Sequence, residues 1–364
     1  MQKTKMSNLT RRDFVKSAAV GAAAAFAAPA IATASKTDSK FVLGAGDYRY
    51  EVQHDWLELP RQFTWQTTHG VAFDRDGCLY VLHQGLANQP KHPTIFVFDP
   101  EGRYMRSFGQ MFSSGGHGLE IHEEDGEEFL YVCAYVGRKC FAKLGLLGEV
   151  VWMKHAPMES GVYAAGEDKT ADRVRGRDRF LPTNFAFLPE GGFLLADGYG
   201  SFYIHRYDKD GNWLSSFGGP GEGDATFDNP HGIAIDARPG REPAIVVTDR
   251  MRHQLKYFSL DGKYLSTVGG FLLPCHFDFR GEVMLVPDLD ARITMLDKDN
   301  RPLVQLADDA EWRKAVNGQG LRGKPDKWQA GKFLHPHDAC FDAAGNIIVA
   351  EWVVPGRVSK LVHI

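Results

Sequence analysis

Short runs of alternating apolar and polar residues recur along this chain. They come in pairs, each pair joined by a tight turn. Six segments share the pattern: THGVAFDRDGCLYVLH around His69, GHGLEIHEEDGEEFLYVCA around His117, PTNFAFLPEGGFLLAD around Thr183, PHGIAIDARPGREPAIVVTD around His231, PCHFDFRGEVMLVPD around Cys275 and PHDACFDAAGNIIVAE around His337. Period-two alternation marks half-buried strands. Val71, Phe73, Phe185, Phe187, Ile233 and Ile235 then share one face of their strands and form core. Asp76-Gly77, Asp210-Gly211, Asp261-Gly262 and Ala344-Gly345 supply hairpin turns.

The anchor residues stand 48, 66, 48, 44 and 62 positions apart. Four short strands with turns need roughly 40–45 residues, so each unit reads as one propeller blade. The chain is predicted to be all-β, a six-bladed β-propeller. Segments such as IHRYD and LKYFS read as outer strands with aromatics packing between blades. The last unit ends after three strands at Ile364, whereas residues 47–57 form a strand pattern with no partner nearby. That N-terminal strand is expected to complete blade six and close the ring, which removes exposed sheet edges. Two long connections break the period. Residues 154–181 are polar and charged, and residues 306–334 contain a predicted short helix, DDAEWRKAVN. Both join an outer strand to the next inner strand, so they lie on the face that carries the anchors. They serve either as walls of a site or as tolerated surface insertions.

Residues 1–34 are set apart from this pattern. Thr10-Arg11-Arg12-Asp13-Phe14-Val15-Lys16 has the form of a twin-arginine export signal, an Ala-rich run follows, and Ala32-Thr33-Ala34 is a cleavage site. The expected mature domain is 35–364, periplasmic or secreted. No other stretch is long and apolar enough to span a bilayer. Removing the leader takes away five basic residues and one acidic one, which moves the formal charge from −4 to about −8. An acidic domain without a basic stripe is not a nucleic-acid binder. The expected partner is a small-molecule or peptide substrate, with the protein as a monomer. Five Cys are too few and too irregular for a disulfide scaffold. Cys133 and Cys140 flank a hairpin and either pair or remain buried thiols.

Anchor residues and the residues just after each second strand converge at one mouth of a propeller channel. His117, His231 and His337 come from blades two, four and six, about 120° apart on a six-fold ring. Three such imidazoles match a metal site with an open fourth position. Tyr199, in ADGYG, and Arg250, in TDRMR, follow the second strands of blades three and four. A tyrosine beside a metal can act as a base, and an arginine can hold a carboxylate or oxyanion. The bland alternative makes both surface residues, with Asp197 and Asp249 stabilising turns. Asp338 follows His337 and suits either a hard cation such as calcium or a partner for a histidine.

With these residues in view, the repeats resemble NHL-type propellers, and in particular the catalytic propeller of peptidylglycine α-hydroxy-amidating lyases. GGHGL, NPHGI and HPHDA match the family's zinc motifs, which implies His117, His231 and His337 as zinc ligands. Tyr199 matches the family's base and Arg250 an active-site arginine. The resemblance implies a structural calcium held by Asp338 and the carbonyls of Val71 and Leu119. One departure stands out: the family's substrate-binding arginine on blade one is replaced by Gln84, in His83-Gln84-Gly85. His69 and His335 are additional histidines, and His69 is placed to contact substrate or add a ligand. The implied activity is zinc-dependent cleavage of the C–N bond of an α-hydroxylated amide or related carbinol. Two readings stand beside it: a non-catalytic binding propeller, and a calcium-dependent lactonase-like hydrolase, which would need more acidic anchors than this chain has.

Overall fold

The computed structural model describes residues 40–54 and 56–364; the expected leader lies outside them. The described chain folds into six antiparallel sheets. The inner strands are Thr68–Phe73, Gly116–Glu124, Asn184–Phe187, Pro230–Asp236, Asp278–Arg280 and Pro336–Phe341, one per expected unit and in the expected order. Blades one to five are consecutive four-stranded meanders. Blade six takes three strands from the C-terminus. Its fourth is Tyr48–Gln53, paired with Arg357–His363 so that Tyr50 faces His363 and Val52 faces Leu361. The ring is therefore closed by the N-terminal strand. A further strand, Val42–Ala45, adds a fifth strand outside it. The sequence pattern had not marked this one, because Val-Leu-Gly-Ala is too short to show alternation.

Two details differ from the sequence reading. IHRYD and LKYFS lie in third strands, Tyr203–Tyr207 and Gln254–Phe258; the Asp-Gly turns after them lead to the true outer strands, Trp213–Gly218 and Tyr264–Val268. The helix is Ala310–Gln319, two residues later than expected, because Asp309 is its N-cap and accepts from Trp312 N at 3.0 Å.

Apolar residues from facing blades form separate inter-blade cores. One contains Leu82, Ile95 and Leu119 with Cys140; the next contains Tyr131, Phe141 and Phe193 with Cys133. Cys133 and Cys140 thus pack into different cores on opposite faces of blade two, and both are free thiols. A bridge between them would require one side chain to pass through the sheet.

The carboxylates ending the second strands of blades three to six repeat one device. Each accepts the backbone N–H of the segment arriving at its blade's anchor: Asp197 from Leu181 (2.7 Å), Asp249 from Asp228 (2.7 Å), Asp288 from Leu272 and Leu273 (3.0 and 3.1 Å), and Glu351 from Leu334 (2.7 Å). Asp197 and Asp249 are structural, as the bland reading of those residues held. The 154–181 connection is tied down by Glu167, which is buried and accepts from Lys139, from Arg179 and from Phe180 N.

Candidate metal centre

Four anchor histidines stand second on their inner strands, and all four are buried. At each of them the strand carries a β-bulge. The register with the second strand shifts between Thr68 and Gly70, Gly116 and Leu119, Pro230 and Ile233, and Pro336 and Asp338. One extra residue at these points re-aims the histidine out of the regular pleat and towards the axis.

His117, His231 and His337 form a nearly equilateral set, with ring centroids 4.8, 4.9 and 4.9 Å apart. Each is oriented by the following blade. His117 Nδ1 donates to Thr183 O, His231 Nδ1 to Cys275 O and His337 Nδ1 to His69 O, every one at 2.8 Å. A carbonyl only accepts, so each Nδ1 carries the proton and each Nε2 presents a lone pair to the axis. The sequence supports this locally. A side chain at Gly118 would stand 2.4 Å from Thr183 O, and one at Gly232 2.4 Å from Cys275 O. Glycine after the histidine lets the neighbouring carbonyl come close enough to receive the Nδ1 proton.

The Nε2 atoms of His117 and His231 are 3.1 Å apart. Two unprotonated nitrogens repel at that distance unless a cation lies between them; around a tetrahedral ion at ordinary zinc–nitrogen lengths they would stand about 3.3 Å apart. His337 Nε2 is buried with no hydrogen-bond partner among the described residues. Burial lowers all three imidazoles, His117 to about 3, so they stay neutral as ligands must. The donor set therefore fits a metal ion.

His69 complicates this set. Its nitrogens, with those of His117 and His337, lie within 4.8 Å of one another, so distance alone admits it as a ligand. The outer-nitrogen bonds separate the cases. Metal-bound imidazoles donate their second nitrogen to a fixed acceptor, whereas neither nitrogen of His69 has a partner among the described residues. Its ring stacks on His337 at 4.6 Å and meets His117 edge-on at 4.9 Å. His69 lines the centre, and its carbonyl holds His337.

Arg250 is buried and Tyr199 half-buried at this centre, so neither is a surface residue. The Tyr199 hydroxyl is 2.9 Å from His231 Nε2 and 3.1 Å from His117 Nε2. Its loop is tightly confined: a side chain at Gly198 would stand 2.1 Å from Pro230 O, and one at Gly200 2.0 Å from Arg179 O. Asp197 braces the loop through the N–H groups of Gly200 and Ser201. Burial raises the Tyr199 phenol, and the Arg250 charge, 5.3 Å from its ring, offsets only part of that rise. Arg250 Nε donates to Asn229 Oδ1 at 2.7 Å, and Asn229 also donates to Gly198 O. Asn229 thus links the arginine to the tyrosine's loop. It lies in the NPHGI motif, two residues before His231, and only that proximity could have flagged it. Tyr135 was also missed. It follows the second strand of blade two, as Tyr199's loop follows that of blade three, and its ring lies 5.3 Å from His117 and 5.2 Å from Tyr199.

The remaining expected residues divide. Gln84 lies on the rim of blade one, its N–H donating to Thr67 O at 2.8 Å and its amide to Ser114 O at 3.4 Å. His335 bonds Leu289 O at 2.8 Å and packs edge-on against Trp352 at 5.9 Å. Asp338, Val71 and Leu119 meet around Gly70, where an added side chain would stand 3.0 Å from Leu119 Cβ and 3.6 Å from Asp338 Oδ2. Asp338 Oδ2 accepts from Val71 N at 2.9 Å. Asp338 and Val71, without Leu119, border a channel cavity of 190 Å³ that Glu120, Asp278 and His276 also line. His276 Nε2 lies 2.7 Å from Glu120 and 3.8 Å from Asp338. Burial works against its charge, but the Asp338 and Glu120 carboxylates win and raise it to about 9.

No protein-family model matches the chain. It is similar to peptidyl-alpha-hydroxyglycine alpha-amidating lyase 1 of Drosophila melanogaster, with 25% identity over 291 residues, covering 75% of this chain. That is the lyase family the motifs resemble. The match covers 49% of the fly protein, so the chain spans about half the length of that relative. Among solved structures it is similar to a streptogramin B lyase (TM-score 0.53, 14% identity, 86% of this chain and 97% of that one). It is also similar to a gluconolactonase of Xanthomonas campestris (TM-score 0.54, 13% identity, 89% and 95%). At these identities the structures share the propeller fold. No helix among the described residues is long and apolar enough to cross a membrane.

Proposed function

We propose that this protein is an exported, zinc-dependent lyase that cleaves the C–N bond of an α-hydroxylated amide or related carbinol. The observation that carries this reading is the convergence of three Nε2 lone pairs, each set by an Nδ1–carbonyl bond, beside the hydroxyl of Tyr199. His117, His231 and His337 would hold the zinc, and a calcium at Asp338 with the carbonyls of Val71 and Leu119 would stiffen the channel. When bound, zinc supplies a Lewis acid that polarises the substrate's hydroxyl and orients it.

The chain's own residues do the rest. Tyr199 lies within reach of any hydroxyl seated at the imidazoles and accepts its proton as the C–N bond breaks. Arg250 offsets part of the burial that raises the Tyr199 phenol and offers a guanidinium to developing negative charge. Asn229 fixes Arg250 against the Tyr199 loop, and Asp197 keeps that loop in place. Burial of the centre excludes water and strengthens each of these interactions. An amide and an aldehyde or keto acid leave.

The test is metal analysis of the mature protein together with turnover of an N-acyl-α-hydroxyglycine. One zinc per chain and release of glyoxylate are expected, with zinc lost in His231→Ala and kept in His69→Ala. Protein that binds no zinc, or a zinc-loaded protein that releases no aldehyde product from any such carbinol, overturns the proposal.

A further inference from the structure

The carboxylates that end the second strands of blades three to six differ in what faces them. Asp249 has Arg252 and Lys256 at 3.3 Å, Asp288 has Arg292 at 2.9 Å, and Glu351 has Arg357 at 2.5 Å. Asp197 has no ion pair among the described residues; its partners are N–H and O–H donors. In blade four, Lys256 stands across from Val247, two residues before Asp249. In blade three the same place, across from Leu195, is taken by His205. The blade whose loop carries Tyr199 has an imidazole where the next blade has a cation.

A tyrosine from the 154–181 connection completes this arrangement. The Tyr163 hydroxyl lies 2.9 Å from Asp197 Oδ2 and 2.6 Å from His205 Nε2, and all three residues are buried. Donor chemistry fixes the direction of these bonds. Trp213 Nε1 donates to His205 Nδ1 at 3.2 Å, and an indole N–H only donates. Burial lowers His205 to about 3, so the ring is neutral and its one proton is on Nε2. His205 therefore donates to the Tyr163 oxygen, and the Tyr163 proton goes to Asp197.

Asp197 passes this constraint to the loop. Its Oδ1 accepts from Leu181 N at 2.7 Å and Gly200 N at 3.1 Å. Its Oδ2 accepts from Ser201 N at 2.9 Å and Ser201 Oγ at 2.7 Å, beside the Tyr163 hydroxyl. Leu181 O in turn accepts from Tyr199 N at 3.2 Å. The connection thus grips the Tyr199 loop through Tyr163 and through Leu181. A buried carboxylate that loses one donor is left under-satisfied, and the segment bonded to it shifts to compensate.

Resting on the lyase reading for the chemistry, we infer that Tyr163 is a positioning residue for Tyr199, acting through Asp197 to keep the phenol oxygen beside the histidine nitrogens. The 154–181 connection is then a support of the site, and His205 with Trp213 sets the orientation of its key hydroxyl.

The test combines kinetics with amide exchange. Tyr163→Phe removes one oxygen and keeps the ring. In the zinc-loaded protein it should lower kcat for an N-acyl-α-hydroxyglycine by roughly 10- to 100-fold, the cost of misplacing a reacting group by a fraction of an ångström to an ångström. KM and zinc content should be unchanged. Made in a Tyr199→Phe background, the same substitution should cost less than roughly twofold more, because the group it positions is gone. His205→Gln, which keeps a donor for the Tyr163 oxygen, should lose less than His205→Leu. Amide exchange across residues 198–201 should quicken in Tyr163→Phe, while the loop after the second strand of blade four keeps its rate. Unchanged kcat, or an equal loss with and without Tyr199, overturns the inference. So does exchange that quickens in blades three and four alike, which would make Tyr163 a residue of general stability. The outcomes separate this inference from the lyase reading. If wild type and Tyr163→Phe turn over equally, the inference fails and the lyase stands. If wild type cleaves no such carbinol, the lyase reading fails; quickened exchange confined to residues 198–201 then still supports Tyr163 as the clamp of the Tyr199 loop, and unchanged exchange overturns it.

Discussion

The side chain of His231 reaches across to blade five, where its Nδ1 donates to the carbonyl of Cys275 at 2.8 Å. The same oxygen would stand 2.4 Å from a side chain at Gly232. Orientation of the imidazole and the absence of a side chain next to it are thus one requirement. Gly232→Ala is expected to push the blades apart locally and release His231 from its acceptor. Bonds of this kind to metal-binding histidines are worth roughly 10- to 100-fold in affinity. Chelator competition should show zinc affinity falling by about that factor while the fold survives. Unchanged affinity would mean the carbonyl does not orient the ligand.

Tyr199 stands 2.9 Å from His231 Nε2 and carries its hydroxyl into the centre. Tyr199→Phe removes one oxygen and leaves the ring contacts with His117 and Tyr135 intact. Zinc content should be retained, and turnover of an N-acyl-α-hydroxyglycine should fall by roughly 10²- to 10⁴-fold, the usual contribution of a positioned base. A variant that loses zinc as well would make Tyr199 a structural partner of the histidines instead.

His83 gives a pH prediction away from the centre. It is fully buried, neither ring nitrogen has a partner among the described residues, and it packs on Phe96 at 4.7 Å and Trp65 at 5.2 Å. Burial lowers it to about 3, against 6.5 for a free imidazole. Between those values the unfolded chain binds a proton that the folded chain does not. The stability involved is present above pH 6.5 and is lost as pH falls towards 3, at up to about 1.4 kcal/mol per pH unit. His83→Phe keeps a ring in the same core and removes the titration. Its melting temperature should fall less than that of wild type between pH 7 and pH 5, both measured without metal. Parallel curves would show that His83 does not titrate in this way.

The fold was readable because each inner strand repeats the same short grammar, an anchor followed by alternating apolar residues. The four histidines were readable because they fall at one place in that grammar. What lies between the repeats was not. Val42–Ala45 pairs only with a strand that is itself far from its own blade in sequence, so nothing local marks it. Tyr135 and Asn229 reach the centre from loop positions whose direction depends on neighbouring blades.

The 154–181 connection is held by Tyr163, which bonds Asp197 and His205 in the core, and by a buried ion pair. Lys139, between the second and third strands of blade two, meets Glu167, and both are almost wholly buried. The pair sits at the base of the connection, with Arg179 at 3.3 Å and Phe180 N at 2.9 Å completing the carboxylate's partners. Lys139→Met removes the cation and leaves the carboxylate with one half-buried arginine and one amide. Breaking a buried pair from one side costs roughly 3–5 kcal/mol. The loss should concentrate where the pair acts. Limited proteolysis by trypsin should cut faster between Arg173 and Arg179 in the variant than in wild type, while blades distant from the connection stay protected. Glu167→Gln, which keeps two acceptor contacts without the charge, should fall between the two. Uniformly faster digestion along the chain would place the pair in the stability of the whole propeller; unchanged digestion would show that the connection is held by its other contacts.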